Sequence, residues 1–421
     1  MKAPMKTAFR SAIRALLAVI FLSAAFAAPF ALKDGDRVVF YGDSITDQRL
    51  YTTFTETFVL TRFPQMSVTF VHSGWGGDRV TGGGGGPVDL RLERDVFAYK
   101  PTVMTIMLGM NDGRYRAFDP EIFKTYADGY RHIIQSVKAH APGIRITVIQ
   151  PSPYDDVTRP PNFEGGYNSV LMRYGQFLKE LAAQEQLAIA DLNTSVVAAL
   201  QKAKATDPEL AQKILPDRVH PGPSGHLLMA EALLKAWGAS SVVTAVELDG
   251  EAKKVIRTER ARVTDLAGGN ALSWTQEDEA LPMPVDMHDP VMALAVRSSD
   301  FVDALNEQPL KITGLTGARY SLRIDGDSVG SFTREQLAAG INLAMLSTPM
   351  VKQAAEVHAL TLKHNNLHFA RWRQVQVPFA DDALPHKQAA IEALDGLETE
   401  VIARQRATAR PKPHKYELAP E

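Results

Sequence analysis

Two serines of this 421-residue chain stand in the same triplet, Gly-Asp-Ser, and each is a possible nucleophile. Ser328, in "RIDGDSVGSF" (323–332), completes the Gly-x-Ser-x-Gly spacing of a nucleophile elbow. That turn needs a strand that runs directly into a helix, whereas Asp325-Gly326 predicts a hairpin between two strands. We therefore interpret Ser328 as a turn residue.

Ser44 has a more suitable context for a nucleophile. It comes shortly after "RVVFY" (37–41), a run that predicts the first strand of a parallel sheet. Ligands bind at the carboxyl ends of the strands in open sheets of this kind. The alternative interpretation is a helix cap, because Asp and Ser both favour that position.

A serine hydroxyl is a weak nucleophile until a base removes its proton, so a histidine held by a third group is required. Among the 11 histidines, only His220, in "DRVHPG", has an acid three residues before it. Within a single turn, this spacing lets the Asp217 carboxylate bind one imidazole nitrogen and leaves the other for the serine. We interpret His226 as a helix residue, whereas His72 follows a strand and receives no role from this pattern.

Two further segments contain donors for the oxyanion that forms when a serine attacks a carbonyl group. "HSGWGGD" follows the second predicted strand, and Gly77 can bring a backbone N–H close to a ligand because it has no side chain. "LGMNDG" follows the third predicted strand, and Asn111 offers a side-chain amide. Taken singly, each segment is better interpreted as a structural feature, a glycine turn or an Asn cap.

Together these segments resemble the SGNH, or GDSL-type, hydrolase family over about residues 35–240, in the order, spacing and strand-end placement of the motifs. The residues that match the family's motifs are Ser44, Gly77, Asn111, Asp217 and His220. One position departs from the pattern, since His72 stands where family members often carry Asn in a supporting role.

The resemblance implies a flavodoxin-like three-layer α/β sandwich with a parallel sheet. It implies a triad of Ser44, His220 and Asp217 that hydrolyses esters through an acyl-enzyme. The oxyanion hole would consist of the Ser44 N–H, the Gly77 N–H and the Asn111 amide. We expect no metal or organic cofactor, because this chemistry needs neither.

Local patterns predict the elements that must position these residues. Five short runs rich in apolar and β-branched residues predict strands buried on both faces: 37–41, 67–71, 102–108, 144–150 and 187–192. Helical periods separate them, and the clearest opens with Asp119-Pro120-Glu121 and ends at Pro142-Gly143. Further helices are expected at about 168–186, at about 194–204 and before Gly238. This alternation predicts a right-handed α/β fold.

After residue 240 the pattern changes to strands and hairpins with one helix, which predicts a β-rich α+β region. We predict a signal peptide at 1–27, a hydrolase domain at 33–240, a β-rich accessory domain at 241–385, and a charged helix with a disordered tail at 386–421. The glycine run 82–86 lacks the Gly-Lys-Ser/Thr of a phosphate loop, so we interpret it as a mobile connection.

The N-terminus has the pattern of a secretory signal. Four basic residues between Lys2 and Arg14 precede an apolar run that ends at Ala28 and contains an Ala-x-Ala site. We expect cleavage near Ala27 and export to the periplasm or the medium, with an uncleaved anchor as the alternative. No later segment predicts a membrane span, so we expect none that is stable in the mature protein.

Composition excludes several classes of site and partner. The chain has no cysteine, which excludes disulfides, thiolate metal sites, a cysteine nucleophile and a lipoprotein anchor. Loss of the signal lowers the 46 basic residues to 42, against 48 acidic ones. This slight acidity provides no electrostatic footprint for nucleic acid.

The loops after the predicted strands carry polar and aromatic side chains rather than the apolar lining of a lipase cleft. The candidate substrate-binding residues are Trp75, Arg79, Arg114, Tyr115, Tyr154 and Asp155. Such a mixture suits the hydroxyls and the apolar face of a sugar, and the arginines also suit a carboxylate; a solvated surface is the alternative. We expect a small-molecule or glycan ester as substrate, most simply an O-acetyl or O-acyl group on carbohydrate.

The sequence is also compatible with two other functions. A lysophospholipase or thioesterase would need an apolar groove beside Ser44. A non-catalytic glycan-binding protein would bind through residues 240–385 and keep the first domain as a relic. The presence of all five catalytic residue types argues against a relic.

Overall fold

The computed structural model describes residues 29–268 and 271–421. The predicted signal peptide at 1–27 therefore lies outside the described residues. Within the two described ranges, no helix has the length and apolar character needed to cross a membrane.

A five-stranded parallel sheet forms the centre of the first half of the chain. Its strands are Arg37–Gly42 (β1), Thr69–Gly74 (β2), Val103–Met107 (β3), Arg145–Ile149 (β4) and Ala188–Ala190 (β5). They lie in the order β2-β1-β3-β4-β5, and every neighbouring pair is parallel. All five predicted strands are present, and the predicted flavodoxin-like arrangement is confirmed.

The register of this sheet brings the ends of three strands to one edge. Gly42 of β1 pairs with Gly74 of β2 and with Met107 of β3. Because parallel strands end on the same side of a sheet, the segments that follow them begin next to one another. Those segments contain the predicted nucleophile and both predicted oxyanion loops.

Helices cover both faces of the sheet. They are Ser44–Asp47 (α1), Leu50–Arg62 (α2), Val88–Asp95 (α3), Pro120–His140 (α4), Gly166–Glu185 (α5), Leu192–Thr206 (α6), Pro208–Ala211 (α7) and Pro223–Ala236 (α8). α2 packs against α8, and α4 packs against α5 through stacked tyrosines. α4 begins as predicted, because the Asp119 carboxylate accepts hydrogen bonds from the N–H groups of Glu121 and Ile122.

α2 is buried on nearly every side, although it is rich in threonine. Five threonines lie in this helix, and all are buried together with the apolar residues. The buried hydroxyls of Thr53, Thr55 and Thr61 each donate a hydrogen bond to the backbone carbonyl four residues earlier in the helix. A helix enclosed in this way shows no amphipathic period, so its pattern is difficult to recognise in the sequence.

The glycine run 82–86 is ordered, so its prediction as a mobile connection is wrong. Gly82–Gly83 pairs with Gly86–Pro87 in a short antiparallel ladder. A Cβ on Gly85 would lie 2.6 Å from the Trp75 ring, so the run packs tightly against the loop after β2.

The strands of the second half form two further sheets. They are Ala245–Asp249 (β6), Lys254–Glu259 (β7), Ala261–Gly268 (β8), Leu272–Asp278 (β9), Pro309–Thr313 (β10), Arg319–Ile324 (β11), Asp327–Thr333 (β12), Ile341–Asn342 (β13) and Pro413–Pro420 (β14). One sheet is antiparallel, in the order β8-β9-β14-β11-β12, and the other is mixed, in the order β13-β10-β6-β7. The predicted β-rich character is confirmed. The hairpin predicted at Asp325-Gly326 is present, but Ser328 is a strand residue of β12, paired with Arg323, rather than a turn residue.

The helices of this half are Pro290–Ser298 (α9), Phe301–Leu305 (α10), Arg334–Ala339 (α11), Pro349–Phe369 (α12) and Lys387–Thr408 (α13), and a π-helical segment, Ala370–Gln376, continues α12. α9 and α10 pack on α8, and their apolar side chains, such as Met292 and Phe301, belong to the core of the first half. The unit predicted at 241–385 is therefore not built around a single core of its own.

The C-terminal tail is a strand, so the prediction that it is disordered is wrong. β14 lies between β9 and β11, and its alternate residues Tyr416 and Leu418 are fully buried. The Pro and Lys content suggested disorder, but two partner strands from earlier in the chain satisfy the backbone hydrogen bonds, and Tyr416 and Leu418 pack in one apolar cluster with Met350 of α12.

Candidate active site

Ser44 is the first residue of α1, at the carboxyl end of β1. Its Oγ lies 2.8 Å from Nε2 of His220. α1 begins here because the Asp43 carboxylate accepts a hydrogen bond of 3.0 Å from the Ile45 N–H. The helix cap is therefore Asp43, and the Ser44 hydroxyl is left for the imidazole.

His220 and Asp217 lie in the loop between α7 and α8. Nδ1 of His220 is 2.7 Å from Oδ2 of Asp217. The other carboxylate oxygen accepts the N–H groups of Val219, at 2.9 Å, and of His220, at 2.6 Å, which closes the segment into one turn. Because Nδ1–H donates to the carboxylate, the lone pair of Nε2 faces the Ser44 hydroxyl.

The surroundings of Asp217 favour its ionised form. Burial acts to raise the pKa of this carboxyl group. The hydrogen bonds from the His220 backbone, the His220 imidazole and the Val219 backbone outweigh burial and lower the pKa below its usual value. An ionised Asp217 can orient the imidazole and stabilise the imidazolium that forms after proton transfer.

The loop after β2 forms a tight turn that contains Gly77. The Asp78 N–H donates to the Trp75 carbonyl at 3.1 Å, and Gly77 has a φ of +78°, a conformation that favours glycine. Gly74 is also required, because a Cβ there would lie 2.1 Å from the backbone nitrogen of Asp47 in α1. The loop therefore packs closely against α1 and leaves Gly77 exposed to solvent.

Asn111 follows β3 and connects its own loop to the loop after β2. Its Nδ2 donates to the Asp78 carbonyl at 3.0 Å, and the Arg79 Nε donates to the Asn111 carbonyl at 3.2 Å. The Tyr115 hydroxyl donates to Asn111 Oδ1 at 2.9 Å. Nδ2 carries two hydrogens, and its contact with Asp78 uses one of them, which leaves the other for a ligand.

A buried arginine anchors the loop after β2. Arg91 of α3 contacts the carboxylate of Asp78 at 2.8 Å, also contacts that of Asp95, and donates to the Ser73 carbonyl at 2.9 Å. Trp372, from the π-helical segment, donates its indole N–H to Asp95 at 2.7 Å. Sequence reasoning missed this network, because the indole and the carboxylate are 277 residues apart and no local pattern connects them.

Two buried carboxyl groups lie beneath these loops. Burial raises the pKa of both Asp43 and Asp112 to about 7, against the hydrogen bonds that they accept from the N–H groups of Ile45 and Val80. Each group therefore takes up a proton near neutral pH, which limits the negative charge beside Ser44.

Three of the predicted substrate-binding residues are available to a ligand. Arg79, Arg114 and Tyr115 are exposed around the loop after β3. Trp75, in contrast, is buried, and the guanidinium of Arg373 lies 2.9 Å from the centroid of its ring. The prediction that Trp75 binds substrate is wrong, because the C-terminal part of the chain covers this ring.

Tyr154 and Asp155 are also buried, and their prediction as substrate-binding residues is wrong. The Tyr154 hydroxyl accepts a hydrogen bond from the Asn162 amide at 2.9 Å. Asp155 accepts the Thr158 N–H at 2.8 Å and pairs with Arg159 at 2.9 Å. These side chains stabilise the loop after β4 rather than contact a ligand.

Two other histidines connect secondary structure elements. His72 binds α2 through Thr52 Oγ1, at 2.6 Å, and Glu56 Oε2, at 3.3 Å. His226 lies in α8, as predicted, and its Nδ1 accepts the Tyr51 N–H at 3.1 Å. Neither imidazole contacts Ser44. Both form hydrogen bonds with α2 and help to hold that helix in place.

The site therefore combines a hydroxyl, a base, an ionised acid and a group of N–H donors at one edge of the sheet. These are the parts needed for acyl transfer through a serine. In the part of the chain that the structure describes, no group of three or more His, Asp or Glu side chains is placed to hold a metal ion.

This chain is similar to several known proteins. Residues 40–228 match the model of the GDSL-like Lipase/Acylhydrolase family. An acetylxylan esterase of Geobacillus stearothermophilus is 25% identical over 234 residues, which is 49% of this chain and 96% of that protein. The solved structure of a gut microbial diltiazem-metabolizing enzyme is 25% identical, covers 93% of this chain and 98% of that chain, and has a TM-score of 0.81. The family match ends at residue 228, whereas the likeness to this solved structure includes most of the second half.

Proposed function

Because residues 40–228 belong to the GDSL-like lipase/acylhydrolase family and the protein is a carboxylic ester hydrolase, we propose that it removes small acyl groups, chiefly acetyl, from carbohydrate through Ser44, His220 and Asp217. One observation carries the proposal. Contacts of 2.8 Å and 2.7 Å connect Ser44 Oγ through the His220 imidazole to the Asp217 carboxylate.

In the acylation step, Nε2 of His220 takes the proton of Ser44 while Oγ forms a bond to the carbonyl carbon of the ester. The Asp217 carboxylate stabilises the imidazolium that results. The tetrahedral intermediate then collapses, the sugar oxygen leaves with the proton from His220, and the acyl group stays on Ser44.

In the deacylation step, His220 takes a proton from water as the water oxygen attacks the acyl-enzyme. The acid leaves, and Ser44 recovers its proton. In both steps the Ser44 N–H, the Gly77 N–H and the Asn111 Nδ2 hold the oxyanion. Removal of one such donor lowers kcat by about 10²–10³-fold, so we expect this loss from Asn111→Ala.

Two observations support a small acyl group on carbohydrate. The exposed side chains around the Asn111 loop include Arg79, Arg114 and Tyr115, which offer hydrogen-bond donors and an aromatic face rather than an apolar groove. The relative from Geobacillus stearothermophilus is named an acetylxylan esterase. The enzyme whose solved structure matches most of this chain is described as diltiazem-metabolizing, so a compound that is not a glycan is a second candidate substrate.

We also propose that the protein is exported. The basic and apolar pattern before Ala28 supports cleavage of a signal peptide. Mass spectrometry of the N-terminus, after expression of the full chain in a Gram-negative host, would find a mature chain that begins near residue 28. An intact Met1 in the membrane fraction would contradict export by cleavage.

The test is hydrolysis of p-nitrophenyl acetate, butyrate and octanoate, together with acetate release from acetylated xylo-oligosaccharides. The parent, Ser44→Ala and Ser328→Ala are compared. Ser328→Ala is a matched control, because Ser328 stands in the same Gly-Asp-Ser triplet but lies in the β12 hairpin. We expect activity that is highest on acetate, lost in Ser44→Ala and kept in Ser328→Ala.

Each other outcome changes the proposal. Activity that rises with chain length would replace carbohydrate by a lipid or thioester substrate. Equal activity of the parent and Ser44→Ala would contradict the mechanism. A parent without activity that still binds xylo-oligosaccharides would favour a glycan-binding protein.

A further inference from the structure

We propose that Tyr115 is a positioning residue for the oxyanion hole and that its hydroxyl holds the Asn111 amide in the orientation needed for catalysis. This inference rests on the proposed role of Asn111. It gives the Tyr115 hydroxyl a role that acts through Asn111, whereas the exposed face of the ring stays available to a sugar. The main observation behind the inference is the hydrogen bond of 2.9 Å that the Tyr115 hydroxyl donates to Asn111 Oδ1.

Two contacts on opposite ends of the Asn111 amide define its orientation. Nδ2 donates to the Asp78 carbonyl at 3.0 Å, and Oδ1 accepts from Tyr115. A rotated amide would place Oδ1 against the Asp78 carbonyl, where two acceptors repel each other. It would also lose the donor on Tyr115 as a partner of the carbonyl end. The two contacts therefore keep Nδ2, with its second hydrogen, on the side of the loop after β2.

The backbone around Asn111 is held as firmly as its side chain. Its carbonyl accepts the Arg79 Nε–H and the Arg114 N–H, each at 3.2 Å. The amide group is therefore the part of this residue that would still rotate. The Asp78 carbonyl binds the Nδ2 end of the amide, and the Tyr115 hydroxyl binds the Oδ1 end.

Tyr115 is itself held in an unusual conformation. Arg114 and Tyr115 have φ values of +56° and +53°, which non-glycine residues adopt rarely and at a cost in free energy. The Tyr115 ring lies 5.1 Å from that of Tyr167, whose hydroxyl donates to the Met110 carbonyl at 2.5 Å. Strained backbone of this kind persists where packing enforces it, and here the packing directs the phenol back to Asn111.

The charge state of the phenol agrees with its role as a donor. Partial burial of the Tyr115 phenol, with the nearby carboxylates of Asp43 and Asp217, raises its pKa to about 12. The hydroxyl therefore keeps its proton at neutral pH and can donate it to Asn111 Oδ1.

The first experiment compares Tyr115→Phe with Tyr154→Phe. Tyr115→Phe removes only the hydroxyl, so we expect kcat on p-nitrophenyl acetate to fall about tenfold, with KM within about twofold of the parent. Tyr154 is a matched control, because it lies in the same aromatic cluster and its hydroxyl contacts Asn162 instead of Asn111. We expect Tyr154→Phe to keep kcat within about twofold. Circular dichroism and Tm verify that both variants are folded.

The second experiment repeats Tyr115→Phe in the Asn111→Ala background. If Tyr115 acts through the amide, its hydroxyl has nothing to hold in this background, and Tyr115→Phe should cause no further loss of kcat. An unchanged kcat in the single variant would overturn the inference. If Tyr115→Phe raised KM equally in the parent and in the Asn111→Ala background, the inference would also be overturned, because such a rise indicates a direct contact with the substrate. Full activity of Asn111→Ala would instead contradict the oxyanion hole of the proposed function. If Asn111→Ala loses activity but Tyr115→Phe does not, only the positioning role of Tyr115 is contradicted.

Discussion

The indole N–H of Trp372 donates to Asp95 Oδ1 at 2.7 Å and connects positions 277 residues apart in the sequence. Asp95 contacts Arg91, Arg91 contacts Asp78, and the Asp78 carbonyl accepts the Asn111 amide. The C-terminal part of the chain therefore reaches the loops of the proposed oxyanion hole through a continuous series of polar contacts.

We expect Trp372→Phe to weaken catalysis as well as stability. The variant leaves Asp95 without one donor, which should lower the free energy of unfolding by about 1–2 kcal/mol and kcat by about threefold to tenfold. Urea denaturation and kcat on p-nitrophenyl acetate measure the two effects. Trp274→Phe is a matched control, since Trp274 is also buried but bonds Gln276 within β9. Equal losses of kcat in both variants would contradict a specific connection.

We expect Asp217→Asn to lower kcat by about 10³-fold with little change in Tm, because Asn would favour the wrong imidazole tautomer of His220. Steady-state kinetics and thermal unfolding measure both quantities. Asp286→Asn provides the control, since Asp286 caps a similar exposed turn by accepting the His288 N–H at 2.9 Å. A kcat for Asp217→Asn within tenfold of the parent would show that the carboxylate does not orient His220.

His364 of α12 lies between two carboxylates, Glu56 Oε1 at 3.7 Å and Glu398 Oε1 at 3.2 Å. Burial acts to lower the pKa of His364, but the two carboxylates outweigh burial and the repulsion from Arg406, so the pKa is raised. Because the pKa of His364 is higher in the folded protein than in the unfolded chain, its protonated form stabilises the fold. This stabilisation is complete below the unfolded pKa of about 6.5 and is lost as the pH rises through the folded pKa.

We therefore expect His364→Gln to lower the free energy of unfolding more at about pH 6 than at about pH 9, as measured by urea denaturation at both values. Burial lowers the pKa values of His72 and His368, so these two histidines make the protein less stable at low pH, opposite to His364. Parent and variant share both residues. The difference in unfolding free energy between parent and variant at each pH therefore reports His364. For exposed His288→Gln, this difference should be near zero at both values. A pH-independent difference for His364→Gln would contradict the assignment.

We expect Arg62→Ala to lower the free energy of unfolding by about 3 kcal/mol. Its buried guanidinium donates to the carbonyls of Ser240 and Val242 at 2.9 Å and of Leu305 at 2.7 Å, and burial lowers its pKa to about 9. The variant would leave these carbonyls without this donor. Arg257→Ala, at an exposed position of β7, should change stability by less than about 0.5 kcal/mol in the same urea titration.

Local patterns were sufficient for the central sheet and for α4. The strands of a parallel sheet are buried on both faces, so each reads as a short apolar run without help from its neighbours. The start of α4 is decided within four residues by Asp119 and Pro120. The same holds for the turn from Asp217 to His220, whose hydrogen bonds close over three residues.

Elements that depend on distant partners were missed or predicted wrongly. The tail at 413–420 becomes a strand only because β9 and β11 flank it. α12 is held against α2 by polar contacts such as Asn365 to Thr53, at 2.9 Å across 312 residues. The burial of Trp75 follows from the approach of Arg373, which lies in the C-terminal part of the chain.

The sequence by itself determined the order of elements in the first half, the family resemblance, and the residue types at the strand ends that supply Ser44, Gly77, Asn111 and the Asp217–His220 pair. Each of these depends on local periodicity or short spacing. Only the tertiary structure decided which neighbouring side chains face the site and how the C-terminal helices and strands support it. Those properties depend on burial and on contacts between residues as far apart as Glu56 and Gln405, and no local pattern contains them.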